Sequence, residues 1–252
     1  MTSDPTTAAG SAAATGGTPI LQVENLGMAF SGAAALKGLS FTVQSGEIFG
    51  IAGPNGAGKT TLFNVISGLY TGTGSIVFQA RNIAGAKPHR ICHLGMARTL
   101  QVPRIFTTLN VYDNIRFGAH FGKAGRRNEA RLIENALEFV GLAHRKKDPT
   151  EHLGLYHKKM TMIAAALATE PSLLLLDEPV GGLSPIEIDP LIALIQRINR
   201  ELKITVIIIE HLMKVLKALS HRMMIIHYGE TICIGTPEAV MADENVKAVY
   251  LG

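Results

Sequence analysis

The 252-residue sequence has no apolar run long enough to span a membrane. The apolar runs at residues 173–176 and 206–209 have the length of strands, whereas a membrane-spanning helix needs roughly 18 apolar residues. The N-terminus also lacks the charged start and apolar core of a secretory signal. We therefore expect a chain that does not cross a membrane by itself.

Cysteine is scarce, and one base-reading motif is missing. Cys92 and Cys233 have no C-x-x-C partner and no metal-ligand spacing, which fits a reducing compartment with both residues as buried free thiols. The N-K-x-D motif by which GTPases read their base does not occur in the chain, so a GTPase is disfavoured.

The excess of positive charge is small and scattered. The formal charge is +4 and the isoelectric point is near 9.1. Short basic runs lie at residues 126–127, 145–147 and 158–159, without aromatic residues among them. We interpret each run as a solvated face, which includes Lys158 and Lys159, and expect no nucleic-acid partner.

The strongest pattern is a glycine-rich loop between a short buried strand pattern at residues 47–52 and a helical pattern at 61–66. It matches G-x-x-x-x-G-K-[ST] in the context that this motif requires. Its glycines allow successive amide N–H groups to converge on phosphate oxygens at a helix N-terminus. Lys59 adds a charge for the outer phosphates, and the Thr60 hydroxyl can ligate the Mg²⁺ that accompanies a nucleoside triphosphate. The loop consists of Gly53, Pro54, Asn55, Gly56, Ala57, Gly58, Lys59 and Thr60, followed by Thr61.

The surrounding patterns predict an α/β fold behind a flexible tail at residues 1–19. Residues 20–26 and 39–43 alternate like the strands of a small antiparallel sheet. Phe30 is expected in a loop between them, either as a packing plug, which the spacing alone favours, or as a stacking platform for a base. Helical patterns at 110–141 and 157–169 predict a helical lobe inserted between strands.

Two apolar runs without alternation end in polar pairs, Asp177-Glu178 and Glu210-His211. Such runs are typical of parallel strands covered on both faces, and ligands bind beyond the carboxyl ends of those strands. We therefore expect Gly53, Asp177 and His211 to converge. Asp177 suits Mg²⁺ held through a water, Glu178 can deprotonate an attacking water, and His211 can donate to a terminal phosphate. Taken alone, Glu178 could instead be a surface charge and His211 a structural histidine.

The chain has the glycine-rich loop, then Gln101, then the strand-end pair Asp177-Glu178, and finally His211 after the next strand. In this combination it resembles the ATP-binding subunit of an ABC transporter over residues 20–252. Within that superfamily the chain is most similar to the ATPases of branched-chain amino-acid uptake systems, through residues 95–101, 166–171, 182–185 and 249–252. The resemblance implies a P-loop NTPase (RecA-like) parallel-sheet core with an N-terminal antiparallel β subdomain. It also implies an inserted α-helical subdomain at about residues 105–170.

The resemblance also implies how the matched residues hold the substrate. Phe30 would stack on the adenine of ATP, and residues 53–61 would bind its phosphates. Thr60 and Gln101 would lie at Mg²⁺, with Asp177 in the outer shell of the metal.

Further roles and partners follow from the same resemblance. Glu178 would be the catalytic base and His211 the sensor of the γ-phosphate. The segment with Ile105 and Phe106 matches the groove that receives a helix from a membrane permease subunit. The chain would lie peripherally on the cytoplasmic face of the inner membrane, and a periplasmic binding protein would be an indirect partner.

One motif departs from the family pattern. The signature L-S-[GY]-G-Q, which covers the ATP held by the opposite ATPase subunit, is altered here. Its serine hydroxyl is missing, and a tyrosine replaces a glycine whose backbone approaches the phosphate. Because losing one donor can cost on the order of 100-fold in rate, we expect pairing with a second ATP-binding subunit that has an intact signature. The degenerate signature reads Leu153, Gly154, Leu155, Tyr156 and His157.

These observations predict an ATPase that powers the import of a branched-chain amino acid or a related small polar or organic-acid substrate. A P-loop kinase usually lacks both the second carboxylate and the strand-end histidine. A soluble ABC ATPase acting on nucleic acid or ribosomes commonly carries two cassettes, and this chain has one. A regulatory subunit that scarcely hydrolyses nucleotide stays open as an alternative because of the altered signature.

Overall fold

The structure is a computed structural model that describes residues 19–123 and 128–251. The tail expected for residues 1–19 lies outside the described residues except for Pro19, which begins the first strand. The basic pair Arg126 and Arg127 and the terminal Gly252 also lie outside them.

An antiparallel sheet forms the N-terminal part of the fold, as the alternating patterns predict. Its strand order is β2-β1-β4-β5, and Val23 of β1 pairs with Phe41 of β2 on one side and with Ile76 of β4 on the other. The expected loop position of Phe30 is wrong, since this residue ends β1 opposite Ala33. The strands are β1 (Pro19–Phe30), β2 (Ala33–Gln44), β4 (Thr73–Phe78) and β5 (Arg81–Asn82).

A second sheet carries the functional strand ends. Its order is β10-β9-β3-β8-β7-β6, and all neighbours are parallel except the β9–β10 pair. Side chains of β7 alternate between two apolar layers, with Leu174 and Leu176 in one and Leu173 and Leu175 in the other. Burial on both faces explains why the sequence shows no alternation here. The strands are β3 (Ile48–Ala52), β6 (Met96–Arg98), β7 (Leu173–Asp177), β8 (Thr205–Ile209), β9 (Arg222–His227) and β10 (Glu230–Gly235).

Helices cover both faces of the parallel sheet. The helices formed by the described residues are α1 (Lys59–Ile66), α2 (Pro88–His93), α3 (Val111–Phe121), α4 (Glu129–Phe139), α5 (Leu155–Leu167), α6 (Pro185–Leu202), α7 (Met213–Leu219), α8 (Pro237–Ala242) and α9 (Glu244–Leu251). Helices α3, α4 and α5 lie between β6 and β7 in the chain and pack on one another. A side chain at Gly118 of α3 would place its Cβ 1.9 Å from the Ala165 carbonyl of α5, so the two backbones approach closely.

The two cysteines are free, as expected, but they are half-buried rather than buried. Burial raises the pKa of both the Cys92 and the Cys233 thiols. None of the described helices combines the length and the apolarity that a membrane crossing requires.

Two ionisable side chains lie inside the protein near the carboxyl ends of the parallel strands. Lys159 on α5 is 2% exposed, which corrects the expectation of a solvated face at this residue, whereas Lys158 is half-buried. Glu210 after β8 is also 2% exposed, and its carboxylate accepts the Val180 N–H at 2.8 Å. Burial raises the pKa of Glu210 to about 7, although that N–H, the His211 N–H and the charge of Lys159 favour the carboxylate. Burial lowers the pKa of Lys159, and Glu210 opposes that change.

The pKa of Glu210 makes stability depend on pH. Between its ordinary value of 4.5 and about 7, the folded protein keeps a proton that the unfolded chain has lost. The contribution of this group to the free energy of unfolding is therefore complete below about pH 4.5 and is lost as the pH rises through about 7. Urea denaturation should show the Glu210→Gln variant gaining stability relative to wild type from about pH 5 to about pH 8, by at most about 3 kcal/mol. Parallel pH profiles for the two proteins would contradict this assignment.

Candidate functional site

The glycine-rich loop connects β3 to α1, as predicted, and its conformation requires glycine. Gly53, Gly56 and Gly58 have φ values of 154°, 78° and 105°. A Cβ at Gly53 would lie 2.0 Å from the Ile226 carbonyl oxygen, and one at Gly58 would lie 2.6 Å from that of Ala35. Space beside Gly56 is open within 4 Å among the described residues. The loop therefore rests on β9 and β2, while its tip stays accessible.

Lys59 begins α1, and its side chain reaches back into this loop. Its ammonium donates to the carbonyl oxygens of Gly53 at 2.7 Å and Pro54 at 2.9 Å, and the residue is 5% exposed. Burial lowers the pKa of Lys59, and the carboxylates of Glu178 and Asp177 oppose this effect. The remaining loop residues differ in exposure: Ala57 is buried, Thr61 is half-buried, and Asn55 and Thr60 are exposed.

Asp177 ends β7 in a buried ion pair. Its Oδ2 lies 2.9 Å from Nη2 of Arg98, whose Nη1 donates to Asn64 Oδ1 at 2.7 Å and to Ser67 Oγ at 3.1 Å. Burial raises the pKa of Asp177, and the Arg98 guanidinium opposes this. Sequence reasoning assigned no role to Arg98, because its partners lie on α1 and β7, far from it in the chain.

Three predicted residues meet beside the loop at the ends of β6, β7 and β8. One carboxylate oxygen of Glu178 accepts a hydrogen bond from Gln101 Nε2, and the other contacts Nε2 of His211. The backbone of Glu178 is left-handed, with φ of 46°, and its N–H donates to the Ile209 carbonyl at 2.9 Å. Glu178 and His211, which follow the paired strands β7 and β8, are therefore in contact, as parallel strand ends predict.

Phe30 lies on the surface rather than in the core. Its side chain is 42% exposed and meets the Tyr70 ring edge-on, with ring centroids 5.3 Å apart. Spacing alone favours Phe30 as a packing plug, but the side chain is not buried. An exposed aromatic face of this kind is available for stacking.

The side-chain oxygen atoms of Asp177, Thr60 and Gln101 are chemically suited to a magnesium ion. Asp177 Oδ1 is buried and has no hydrogen-bond partner among the described residues. The Thr60 hydroxyl and the Gln101 amide oxygen are of the hard type that Mg²⁺ prefers. No group of three His, Cys, Asp or Glu side chains suited to a metal occurs within residues 19–123 and 128–251. This donor set suits an ion that is held largely by substrate phosphates.

The residues that the resemblance assigns to the signature, 153–157, lie at the start of α5. Gly154 is the N-cap residue, and a Cβ there would meet nothing within 4 Å among the described residues. Leu155 is 39% exposed and its Cδ2 lies against Gly182. Tyr156 is half-buried against the core and its ring meets that of His157 edge-on. The Tyr156 side chain is therefore partly turned inward.

Lys159 is the second residue near the site that sequence reasoning missed. Its ammonium donates to the main-chain oxygen of Glu178 at 3.0 Å. A signal was present, because Lys159, Ile163 and Ala166 share the helical spacing of the buried face of α5.

Comparisons with known proteins agree with this geometry. A family model described as "ABC transporter" matches residues 36–181. The high-affinity branched-chain amino acid transport ATP-binding protein BraF of Pseudomonas aeruginosa is 34% identical over 250 residues, which cover 93% of this chain and 98% of BraF. The corresponding LivG protein of Escherichia coli K12 is 32% identical over 250 residues, with the same two coverages.

Solved structures have the same fold. A crystal structure of the ADP conformation of an ATP-binding cassette of an ABC transporter has a TM-score of 0.84 and 28% identity, covering 93% of this chain and 99% of that one. The cbiO1 protein of Clostridium perfringens, part of the ABC transporter complex cbiONQ, has a TM-score of 0.81 and 32% identity, with coverages of 92% and 95%. The predicted resemblance and fold class are confirmed: the chain belongs to the ABC transporter family and is an enzyme that hydrolyses ATP.

Proposed function

We propose that this chain powers the import of a branched-chain amino acid, or a related small polar or organic-acid substrate, across the bacterial inner membrane. The observation that carries the catalytic part is the meeting of Gln101, Glu178 and His211 beside the phosphate loop. The cargo class is supported by the names of BraF and LivG, which are branched-chain amino acid transport ATP-binding proteins.

In this proposal the loop and its helix bind the substrate ATP. The backbone N–H groups of residues 53–61 and the ammonium of Lys59 bind its phosphates, and Phe30 stacks on the adenine. Thr60, Gln101 and Asp177 would hold Mg²⁺, Asp177 by way of a water. The ion neutralises negative charge on the phosphate oxygens when it is bound.

Glu178 is the proposed general base. Its carboxylate accepts a proton from the water that attacks the terminal phosphorus, while the bond from that phosphorus to the ADP oxygen breaks. Gln101 and His211 contact the two oxygens of this carboxylate and so orient it. His211 additionally senses the terminal phosphate in this proposal.

An apolar surface formed by Phe106 and two residues of α3 supports docking to membrane permease subunits. Phe106 is 56% exposed and Phe121 61% exposed, and the Phe106 ring lies 4.6 Å from that of Phe117. Such exposed apolar patches mark interaction sites. We assign residues 20–252 as the cassette, residues 105–170 as its helical lobe, and Ile105 and Phe106 as the edge that receives a permease helix. The protein would then lie peripherally on the cytoplasmic face of the membrane and depend indirectly on a periplasmic binding protein.

We further propose that the functional unit is a pair with a second ATP-binding subunit. A signature without a hydroxyl at Gly154 stabilises the opposite ATP poorly, so two copies of this chain would form two weak sites. A partner with an intact signature would complete the site built from Lys59, Glu178 and His211.

Removing the proposed base should separate binding from hydrolysis. The Glu178→Gln variant, assembled in the complex purified from membranes, should bind ATP as tightly as wild type and hydrolyse it roughly 100-fold or more slowly. Calorimetry and phosphate release measure the two quantities. Glu24→Gln, at an exposed residue of β1, is the control and should match wild type. Wild-type turnover in Glu178→Gln would exclude Glu178 as the base.

The pairing proposal is tested by restoring the missing hydroxyl. Because space beside Gly154 is open, both Gly154→Ser and Gly154→Ala fit there, and only the serine supplies a donor. We expect the purified single chain to hydrolyse ATP slowly, and Gly154→Ser to raise its rate at least about tenfold over the matched Gly154→Ala variant.

Two results would contradict the pairing. One is vigorous turnover by the wild-type chain alone, and the other is equal rates for the serine and alanine variants. If the chain mixed with its co-purifying ATPase hydrolyses nothing beyond the partner's own rate, the regulatory alternative suggested by the altered signature is favoured instead.

A further inference from the structure

The turn that presents Glu178 adopts a conformation that its sequence does not favour. Residues 178–180 lead from β7 towards α6, and Glu178, a non-glycine residue, has φ of 46°. A left-handed non-glycine residue persists only where its surroundings hold it there. The source of that constraint lies on neighbouring elements.

Two buried side chains hold this turn from opposite elements. Lys159 on α5 donates to the Glu178 carbonyl oxygen at 3.0 Å. Glu210 after β8 accepts the Val180 N–H at 2.8 Å with one oxygen and the His211 N–H at 3.2 Å with the other. The single carboxylate of Glu210 therefore binds the backbone at Val180, in the turn after Glu178, and the backbone at His211. These are the two segments whose side chains meet in the Glu178–His211 contact.

The two side chains also have opposite formal charges. Lys159 and Glu210 are each 2% exposed, and a buried charge is costly unless a charge of opposite sign or hydrogen bonds compensate it. The positive charge of Lys159 favours the ionised form of Glu210. The negative charges of Glu210 and Glu178 in turn favour the protonated form of Lys159. The hydrolysis mechanism proposed above uses neither residue as a reacting group.

The position of Lys159 links the turn to the altered signature. Helix α5 starts at Leu155, so Lys159 lies little more than one turn from the helix start and two residues after the signature residues 153–157. The helix is also fixed by its close approach to α3 at Gly118. A displacement of α5 that withdraws Lys159 would release the carbonyl of Glu178.

We propose that Lys159 and Glu210 are a pair of positioning residues that lock the Glu178 turn and couple the seating of α5 to the orientation of the general base in the same chain. This inference rests on the proposed role of Glu178. A merely structural role for the pair would affect stability and turnover together, whereas a positioning role affects turnover even where stability is restored.

The test uses variants that separate these roles, in the complex purified with its partner ATPase and permease subunits. Lys159→Met removes the donor and leaves Glu210 without its opposite charge. Adding Glu210→Gln removes the negative charge of Glu210 but keeps a side-chain oxygen that can accept the Val180 N–H. Lys158→Met, one residue earlier and half-buried, is the matched control.

We expect Lys159→Met to lower kcat at least about tenfold, with the Kd for ATP unchanged, because small misplacements of a catalytic group are costly. Lys159→Arg should recover part of the rate. The double variant Lys159→Met/Glu210→Gln should regain the denaturation midpoint lost in Lys159→Met and still turn over slowly. Lys158→Met should match wild type in every measurement.

A hydrogen-exchange measurement, which does not depend on ATP hydrolysis, completes the test. Hydrogen exchange in the peptide covering residues 177–183 should be at least about tenfold faster in Lys159→Met than in Lys158→Met, in the isolated chain. The inference is overturned if the double variant regains turnover together with stability, if ATP affinity falls instead of kcat, or if exchange is unchanged. If Glu178→Gln hydrolyses normally, the proposed base is wrong, and the exchange experiment still reports whether Lys159 holds the turn.

Discussion

The site depends on the parallel pairing of strands that are buried on both faces. β3 pairs with β8, and β8 pairs with β7, in continuous register, so their carboxyl ends lie side by side. The phosphate loop, the pair Asp177-Glu178 and the pair Glu210-His211 each follow one of these strands directly. If the sheet lost its apolar layers, these groups would have no common position, because no single helix or loop holds all of them.

Much of this arrangement could be predicted because it follows from local sequence patterns. The glycine motif, the non-alternating apolar runs and their polar ends are contiguous in sequence, and the geometry of parallel sheets then implies that they meet. The capping box at Ser184 and Glu187 is similarly local: the Ser184 N–H donates to the Glu187 carboxylate at 2.9 Å at the start of α6.

The rest could not be predicted because it depends on contacts between distant segments. Arg98 is one residue in a three-residue strand, and only the fold brings it to Asp177 and Asn64. Lys159 stands next to Lys158 in a basic pair, and composition alone favours a solvated position for both. The periodicity of α5 distinguishes them, but it does not reveal that Glu210 compensates the buried charge. The alternating pattern ends at Leu26 and so favours a loop at Phe30, whereas register shifts let β1 continue to that residue.

The residues around the glycine-rich loop and those at the start of α5 differ in the side-chain groups that they offer. The glycine-rich loop holds the buried ammonium of Lys59 and Glu178 offers a carboxylate near it, whereas Gly154 has no side-chain donor. ATP binding at the glycine-rich loop underlies each role that we propose for these residues. Calorimetric titration of the folded, purified chain with ATP in the presence of Mg²⁺ examines it most directly. We expect one nucleotide bound per chain and at least about tenfold weaker binding by Lys59→Ala, because the ammonium makes charge-assisted hydrogen bonds to phosphate; no detectable binding by the folded wild-type chain would contradict it.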